Sequence, residues 1–171
     1  AWFLDERTGM RPNMLFAQYI PGDDVVLPWK DYPARYVPGA GGRKGVFVSF
    51  GGVIEDLLLV PLTDCIRLLR DSVHWTRAHD EGMARWYRAY TSWLRTHQHG
   101  LDEAGCRNNH GSWYWAGIAC FLEFAGMKEE ARRVIAEALP QRLEMQISPD
   151  GSQPEELVRA ISKRYTAFTL A

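Results

Sequence analysis

The segment TRAHDEGMARWYRAYTSWLRT, residues 76–96, decides the fold class of this chain. Its large apolar side chains recur at steps of three and four residues, namely Met83, Trp86, Tyr87, Tyr90, Trp93 and Leu94. This spacing places them on one face of an α-helix, and the simplest role for such a face is burial in a core. We therefore predict a long amphipathic helix from Thr76 to Thr96.

Helical spacing extends to both sides of this segment. The further predicted helices are Val53–Leu69 with a kink at Pro61, Gly111–Phe124 ended by Gly126, Lys128–Gln146 with an irregularity at Pro140, and a last helix that starts at a capping box of Ser152 and Glu155. Five helices joined by short turns predict an all-α protein built of stacked antiparallel helical hairpins.

Two segments interrupt this pattern. From Glu6 to Gly52, Pro and Gly recur every few residues, so we expect little regular structure there beyond one short strand at residues 46–50. The segment from His97 to Arg107 contains two glycines and is predicted to be a loop. We divide one domain, residues 1–171, into a loop-rich region, 1–52, and helical hairpins, 53–171.

Composition excludes several classes of protein. The chain has 171 residues, with 20 Lys and Arg against 21 Asp and Glu, so it lacks the basic excess of a nucleic-acid binder. No apolar run approaches the length of about 18 residues that a membrane span requires. The chain begins Ala1-Trp2-Phe3 without a signal pattern, and we expect it to be a piece of a longer protein.

The segment NNHGSWY, residues 108–114, places two amides and an imidazole at the start of a predicted helix. The simplest interpretation is capping, because Asn is a favoured N-cap residue. The alternative is chemical. The positive end of the helix dipole disfavours a protonated imidazole, which keeps His110 neutral and available as a base, while the neighbouring Asn109 amide can donate to a substrate carboxylate.

Tyr165 is a second candidate for proton transfer. It lies among Arg159, Lys163 and Arg164, and nearby positive charge favours the ionised phenolate. The competing interpretation is an amphipathic surface tyrosine beside solvated cations.

Together these motifs carry a resemblance to a known family. NNHGSWY (108–114), PDGSQP (149–154), Glu156-Leu157, Arg159 and Tyr165 resemble the alginate lyase domain of polyuronate-degrading enzymes. The group most similar is polysaccharide lyase family 38, and the bacterial alginate lyases of family 5 are more distant. Weaker similarity upstream includes Pro12-Asn13-Met14, Pro21-Gly22 and Arg43-x-Gly45, so the resemblance covers most of the chain.

The resemblance implies a fold and a reaction. The fold is an incomplete (α/α) toroid of antiparallel helical hairpins, the C-terminal portion of a larger toroid. The reaction is metal-independent β-elimination, without a cofactor, on a 1,4-linked polyuronate such as alginate or glucuronan. It leaves a 4,5-unsaturated uronic acid end. The implied partner is thus an acidic polysaccharide, with no nucleic acid and no membrane span, and the implied location is secreted or periplasmic.

The resemblance also implies roles for individual residues. Asn109 and His110 lie beside the substrate carboxylate and C5, and Tyr165 is the acid. Either His110 or Tyr165 is the base. In the family 5 enzymes the carboxylate-neutralising Arg precedes the Tyr by seven residues, a position that Val158 occupies here. Arg159 is assigned instead, although it lies about 120° from Tyr165 on an ideal helix, so the two converge only if the helix breaks or Arg159 reaches around. The missing upstream part is another possible source of the neutralising group.

Substrate contacts and rival chemistries complete the sequence-based predictions. The residues proposed to bind substrate are Asn108, Trp113, Tyr114, Gln153, Glu156 and Arg164, the last also a second candidate neutraliser. Trp113 is equally suited to core packing. Two weaker alternatives are a metal site of His97, His99 and His110 and a nucleophile pair of Cys106 and His110. The main rival function is a non-catalytic helical domain that binds carbohydrate or serves as a scaffold.

Overall fold

Eight α-helices carry the fold in a computed structural model that describes residues 2–8, 10–14, 18–20, 34–37 and 46–170. The helices are α1 Leu59–Leu69, α2 Arg77–Thr96, α3 Gln98–Gly105, α4 Asn109–Phe124, α5 Lys128–Arg133, α6 Leu139–Gln146, α7 Pro154–Leu157 and α8 Ser162–Thr169. Among these, no helix has the length and apolar character needed to cross a membrane. The predicted all-α class is confirmed for the helical part of the chain.

A small antiparallel sheet precedes the helices. Its strands are β1 Gln18–Ile20, β2 Ala34–Val37 and β3 Val46–Ser49, and β3 lies in the middle. The strand predicted near residue 46 is confirmed, whereas β1 and β2 were not anticipated in the loop-rich region. The upstream motifs Pro21-Gly22 and Arg43-x-Gly45 lie outside the described residues.

The core is formed mainly by α2 and α4. The aromatic face of α2 is buried, and Tyr87 and Tyr90 pack against Phe121 of α4 with ring centroids 5.4 and 5.7 Å apart. Thr76 is the N-cap of α2 and forms a capping box with His79. The prediction for residues 76–96 is therefore confirmed, including the burial of its apolar stripe.

Two predicted helices differ in their details. Residues 50–58 form a 3-10 helix, and α1 begins only at Leu59, which places Pro61 in the first turn. No kink is needed there, since an N–H in the first turn has no partner within the helix. The Lys128–Gln146 segment runs through α5, a π-helical turn at Val134–Ala138, and α6, with Pro140 in the first turn of α6.

The predicted loop from His97 to Arg107 is wrong, because α3 occupies most of it. His97 is the N-cap of this helix, and its ring accepts a hydrogen bond from the His99 amide. Gly100 serves close packing here: a Cβ at this position would lie 2.0 Å from the Leu94 carbonyl oxygen. In the sequence, Gly100 predicts the interruption of a helix. In the structure it lies within α3, where the absence of a Cβ allows α3 to pack against the end of α2.

The last predicted helix is also corrected. Ser152 is not its N-cap; Gln153 occupies that position, and its carbonyl oxygen accepts from the amides of Glu156 and Leu157. Pro154 follows at the first helical position, which its fixed φ favours. The helix then ends at Leu157, and α8 resumes at Ser162. By contrast, the predicted stop at Gly126 is confirmed by its φ of +82°.

A buried acid lies between the 3-10 helix and α2. Asp56 accepts a hydrogen bond from the Tyr90 hydroxyl at 3.0 Å. Burial raises the pKa of Asp56 from its usual 3.8 to about 8, against the opposing effect of the Tyr90 hydrogen bond. The folded protein therefore holds a proton on Asp56 at neutral pH.

We predict that Gly100→Ala lowers the free energy of unfolding by about 1–3 kcal/mol, as overpacking commonly does. Gly105→Ala is the matched control on the same helix, because no atom lies within 4 Å of the position that its Cβ would take. Urea unfolding followed by circular dichroism measures both variants. Equal stability of the two would contradict the tight approach of α3 to α2.

We further predict that Asp56→Asn removes a loss of stability with rising pH. Between the unfolded pKa near 3.8 and the folded pKa of about 8, only the unfolded chain releases this proton, so stability falls as pH rises through that window. Asn accepts the Tyr90 hydrogen bond without ionising. The variant should equal the parent near pH 4 and exceed it near pH 8 in urea unfolding; a constant difference across this range would refute the assignment.

Candidate active site

The first turn of α4 carries the Asn-Asn-His motif. Asn108 is the N-cap, and its side-chain oxygen accepts from the His110 amide at 3.2 Å. Asn109 is the first helical residue and is buried. Its backbone N–H donates to Oε1 of Glu156 at 2.5 Å. The capping interpretation is thus correct for Asn108, while the backbone of the buried Asn109 is held by Glu156, an acid distant in sequence.

His110 is paired with a buried carboxyl group. Its Nδ1 lies 2.6 Å from Oε1 of Glu103, and Glu103 is 0% exposed. Burial raises the pKa of Glu103, whereas the contacts with His110 and the Ile54 amide oppose that rise. A carboxyl group at this distance determines which ring nitrogen is held and how the imidazole is oriented. The pair has the arrangement of a general base and its orienting group.

The break between α7 and α8 brings Arg159 onto Tyr165. The guanidinium carbon of Arg159 lies 4.0 Å from the centroid of the Tyr165 ring, which is the geometry of a cation–π contact. The Arg159 side chain is 18% exposed, and its Nη1 is 4.0 Å from Oε2 of Glu156. Arg159 and Tyr165, six residues apart, meet because the helix is interrupted between them. This interruption is one of the two conditions under which Arg159 could serve as the neutralising Arg.

Glu156 links the two halves of the candidate site. It is buried, and its Oε1 accepts both the Asn109 amide and, at 3.1 Å, the hydroxyl of Thr169. The same hydroxyl is 3.0 Å from the carbonyl oxygen of Tyr165. Through this one carboxylate, the start of α4 is joined to α7 and α8. The backbone of Asn109 and that of Tyr165 are therefore linked through Glu156 and Thr169.

Three predicted substrate-binding residues are buried inside the protein. Tyr114 is 3% exposed and donates its hydroxyl to the Leu94 carbonyl at 3.1 Å, so it packs between helices and does not offer a stacking surface. Gln153 is buried and donates to the Thr166 carbonyl at 3.4 Å. Glu156 bridges helices. We correct these three roles from substrate contact to support of the site.

The remaining candidates lie nearer the surface. Trp113 is half-buried; its indole donates to the Phe168 carbonyl at 3.2 Å, and its ring lies 5.3 Å from that of Phe168. This contact docks α8 onto α4. Asn108 is partly exposed, and Arg164 is exposed on α8.

Glu103 is a candidate site residue that the sequence did not indicate. The segment was predicted to be a loop, and a loop acid seven residues before a His gives no reason to expect a contact. Leu101 and Ala104, three residues apart on either side of Glu103, have the spacing of one helix face. Gly100 and Gly105 concealed this pattern, because glycine is unfavourable within a helix.

The two rival chemistries find little support. Within the described part of the chain, no group of three or more His, Cys, Asp or Glu is placed to hold a metal ion. His97 stacks on Trp93 with ring centroids 4.8 Å apart, and His110 is held by Glu103. Burial raises the pKa of the Cys106 thiol to about 12, so a thiolate nucleophile is disfavoured at neutral pH.

Comparison with known proteins identifies the family of the chain. A search of curated proteins finds no match. Among solved structures, an alginate lyase from Bacteroides ovatus is similar, with a TM-score of 0.80 and 29% sequence identity. The match covers 99% of this chain and 39% of that one, so the chain spans about two fifths of that protein's length. The Alginate lyase family profile matches residues 1–171. The chain belongs to the alginate lyase family.

Proposed function

We propose that the protein containing this chain is a polysaccharide lyase that cleaves a 1,4-linked polyuronate, alginate or glucuronan, by β-elimination. The observation that carries the proposal is the network through Glu156, which joins the Asn109–His110 turn to the segment with Arg159 and Tyr165. Family membership supports the reaction class, and the network supports the assignment of the reacting groups.

β-Elimination makes three chemical demands. The C5 proton is only weakly acidic, so the C6 carboxylate must be neutralised and the developing enolate stabilised. A base must remove the C5 proton, and an acid must protonate the departing O4. The electron pair of the C5–H bond forms the C4–C5 double bond as the C4–O4 bond breaks. No oxidant or reductant is consumed.

Carboxylate neutralisation is assigned to Asn109 and Arg159. Asn109 is buried at the positive end of α4, where an anion is favoured. Arg159 is the cation that the helix break directs toward Tyr165, and it is much less exposed than Arg164. We therefore prefer Arg159 to Arg164 as the neutralising cation.

Proton transfer is assigned to His110 and Tyr165. Tyr165 protonates O4, and the Arg159 guanidinium over its ring stabilises the phenolate that results. His110 removes the C5 proton when the stereochemistry at C5 places that proton on its side; otherwise Tyr165 performs both transfers. Glu103 orients the imidazole in either case.

The resemblance to alginate lyases also bears on the architecture and the location of the protein. We propose that the helical hairpins are the C-terminal portion of an (α/α) toroid and that the protein works outside the cytoplasm, secreted or in the periplasm, where polyuronates occur. Asn108, Trp113 and Arg164 remain proposed substrate contacts, since each retains exposed surface. Neither a metal ion nor a cofactor enters the proposed steps.

The central test is incubation of the full-length protein with alginate or glucuronan while absorbance is followed near ~235 nm, where the new conjugated double bond absorbs. Tyr165→Phe should remove nearly all turnover and leave helical content unchanged, because it deletes only the transferable proton. Lys163→Ala, an exposed change on the same helix, is the control. Binding of polyuronate without an absorbance rise would favour a non-catalytic binding domain.

Glu103→Gln tests the orienting carboxyl. We expect kcat to fall on the order of 100-fold, within the range of general base catalysis, with little change in KM, because the substrate contacts are untouched. Asp102→Asn, the neighbouring acid on α3, is the matched control. Steady-state kinetics on the polyuronate that the parent cleaves best measures both. An unchanged kcat in Glu103→Gln would remove the pair from the mechanism.

A further inference from the structure

Two buried polar side chains on α6 face the turn between α3 and α4. Arg142 is 5% exposed and Gln146 is 4% exposed, although both residue types usually lie at the surface. They are four residues apart, so they share one face of the helix. Burial of such groups is costly unless each finds polar partners, which makes their contacts informative.

Arg142 binds the end of α3. Its Nη2 donates to the Ala104 carbonyl oxygen at 2.8 Å and also to the Cys106 carbonyl oxygen. These carbonyls lie where the helix ends and its own amides no longer reach, and a cation at the C-terminus of a helix is favoured. Arg142 therefore holds the turn immediately after Glu103.

Gln146 binds the start of α4. Its Nε2 donates to the Asn108 carbonyl oxygen at 2.5 Å, and its Oε1 accepts from the Ser112 hydroxyl at 2.5 Å. These two contacts bracket Asn109 and His110 in sequence. The Gln146 side chain is therefore hydrogen-bonded to residues on both sides of Asn109 and His110.

Gly111 allows this close approach. A Cβ on Gly111 would lie 1.9 Å from Nη2 of Arg142 and 2.1 Å from the Cys106 carbonyl oxygen. The glycine of the Asn-Asn-His-Gly motif is thus required by the contact with α6. The motif and the two α6 side chains form one packed unit.

We propose that Arg142 and Gln146 are positioning residues, which hold residues 104–108 so that Glu103 and His110 meet at their observed separation. The proposal rests on the proposed function for its catalytic consequence. Glu103 lies just before the held turn and His110 just after it, so the 2.6 Å contact between them depends on the geometry of that turn. A displacement of about 1 Å in such an arrangement can cost on the order of 100-fold in rate.

The kinetic test uses Gln146→Met in the full-length protein. Methionine keeps the volume but loses both hydrogen bonds, and Asn108's carbonyl retains its bond from the Gly111 amide, which favours folding of the variant. Gln141→Met, an exposed position on the same helix, is the matched control. We expect kcat to fall roughly 10- to 100-fold with KM nearly constant and helical content unchanged. A parental kcat in Gln146→Met would overturn the proposal.

A spectroscopic test does not depend on activity. The proton shared by Glu103 and His110 should give a downfield ¹H NMR resonance, assigned by its loss in His110→Ala. In Gln146→Met we expect this resonance to shift or broaden, whereas Gln141→Met should leave it unchanged. An identical resonance in Gln146→Met would refute the positioning role. If the parent protein shows no lyase activity but the resonance shifts, the proposed function fails and the positioning role stands.

A double-mutant cycle separates positioning from a general loss of stability. If Gln146 acts through the Glu103–His110 contact, the kcat losses of Gln146→Met and Glu103→Gln should be less than additive when the changes are combined. Fully additive losses would show that Gln146 acts elsewhere and would also overturn the proposal. Arg142 is left intact in this design because removing a buried cation from backbone carbonyls can prevent folding.

Discussion

The arrangement of the candidate site depends on the hydrogen bonds that the Glu156 carboxylate accepts. This carboxylate accepts the backbone N–H of Asn109 and the hydroxyl of Thr169, so one buried group joins the first turn of α4 to the last helix. An N–H in the first turn of a helix has no partner within the helix, and an acid beside it also meets the positive end of the helix dipole. The unpaired N–H at the start of α4 thus provides the bond that joins this helix to α7 and, through Thr169, to α8.

The start of α4 is held by more than Glu156. Glu103 approaches His110 from α3, Gln146 approaches Asn108 from α6, and Arg142 secures the turn between them. The rest of α4 is anchored by core residues such as Ile118 and Phe121, which are fully buried. A helix with a fixed body and a multiply held first turn is suited to positioning catalytic groups, because its side chains have little freedom to move before substrate binds.

Two buried acids, Asp56 and Glu103, interact electrostatically in the interior. Asp56 and Glu103 both have raised pKa values because of burial, and the charge of Glu103 contributes to the rise at Asp56. Two nearby carboxyl groups cannot both ionise cheaply in a poorly hydrated interior. A neutral Asp56 bound to the Tyr90 hydroxyl therefore limits the negative charge that acts on Glu103. The helical core and the site are linked electrostatically as well as by packing.

The resemblance of the chain's motifs to a known family named residues 108–110, 159 and 165 as site candidates. The amino-acid sequence alone determined the helical class, the amphipathic face of residues 76–96 and the stop at Gly126. These are local features: periodicity, turn chemistry and residue type suffice to specify them. It did not reveal α3, the helix break after Leu157, or the roles of Glu103, Glu156 and Gln146. Those depend on contacts between residues distant in sequence, such as the close approach of Gly100 to α2, and only the tertiary structure decides which buried polar groups meet.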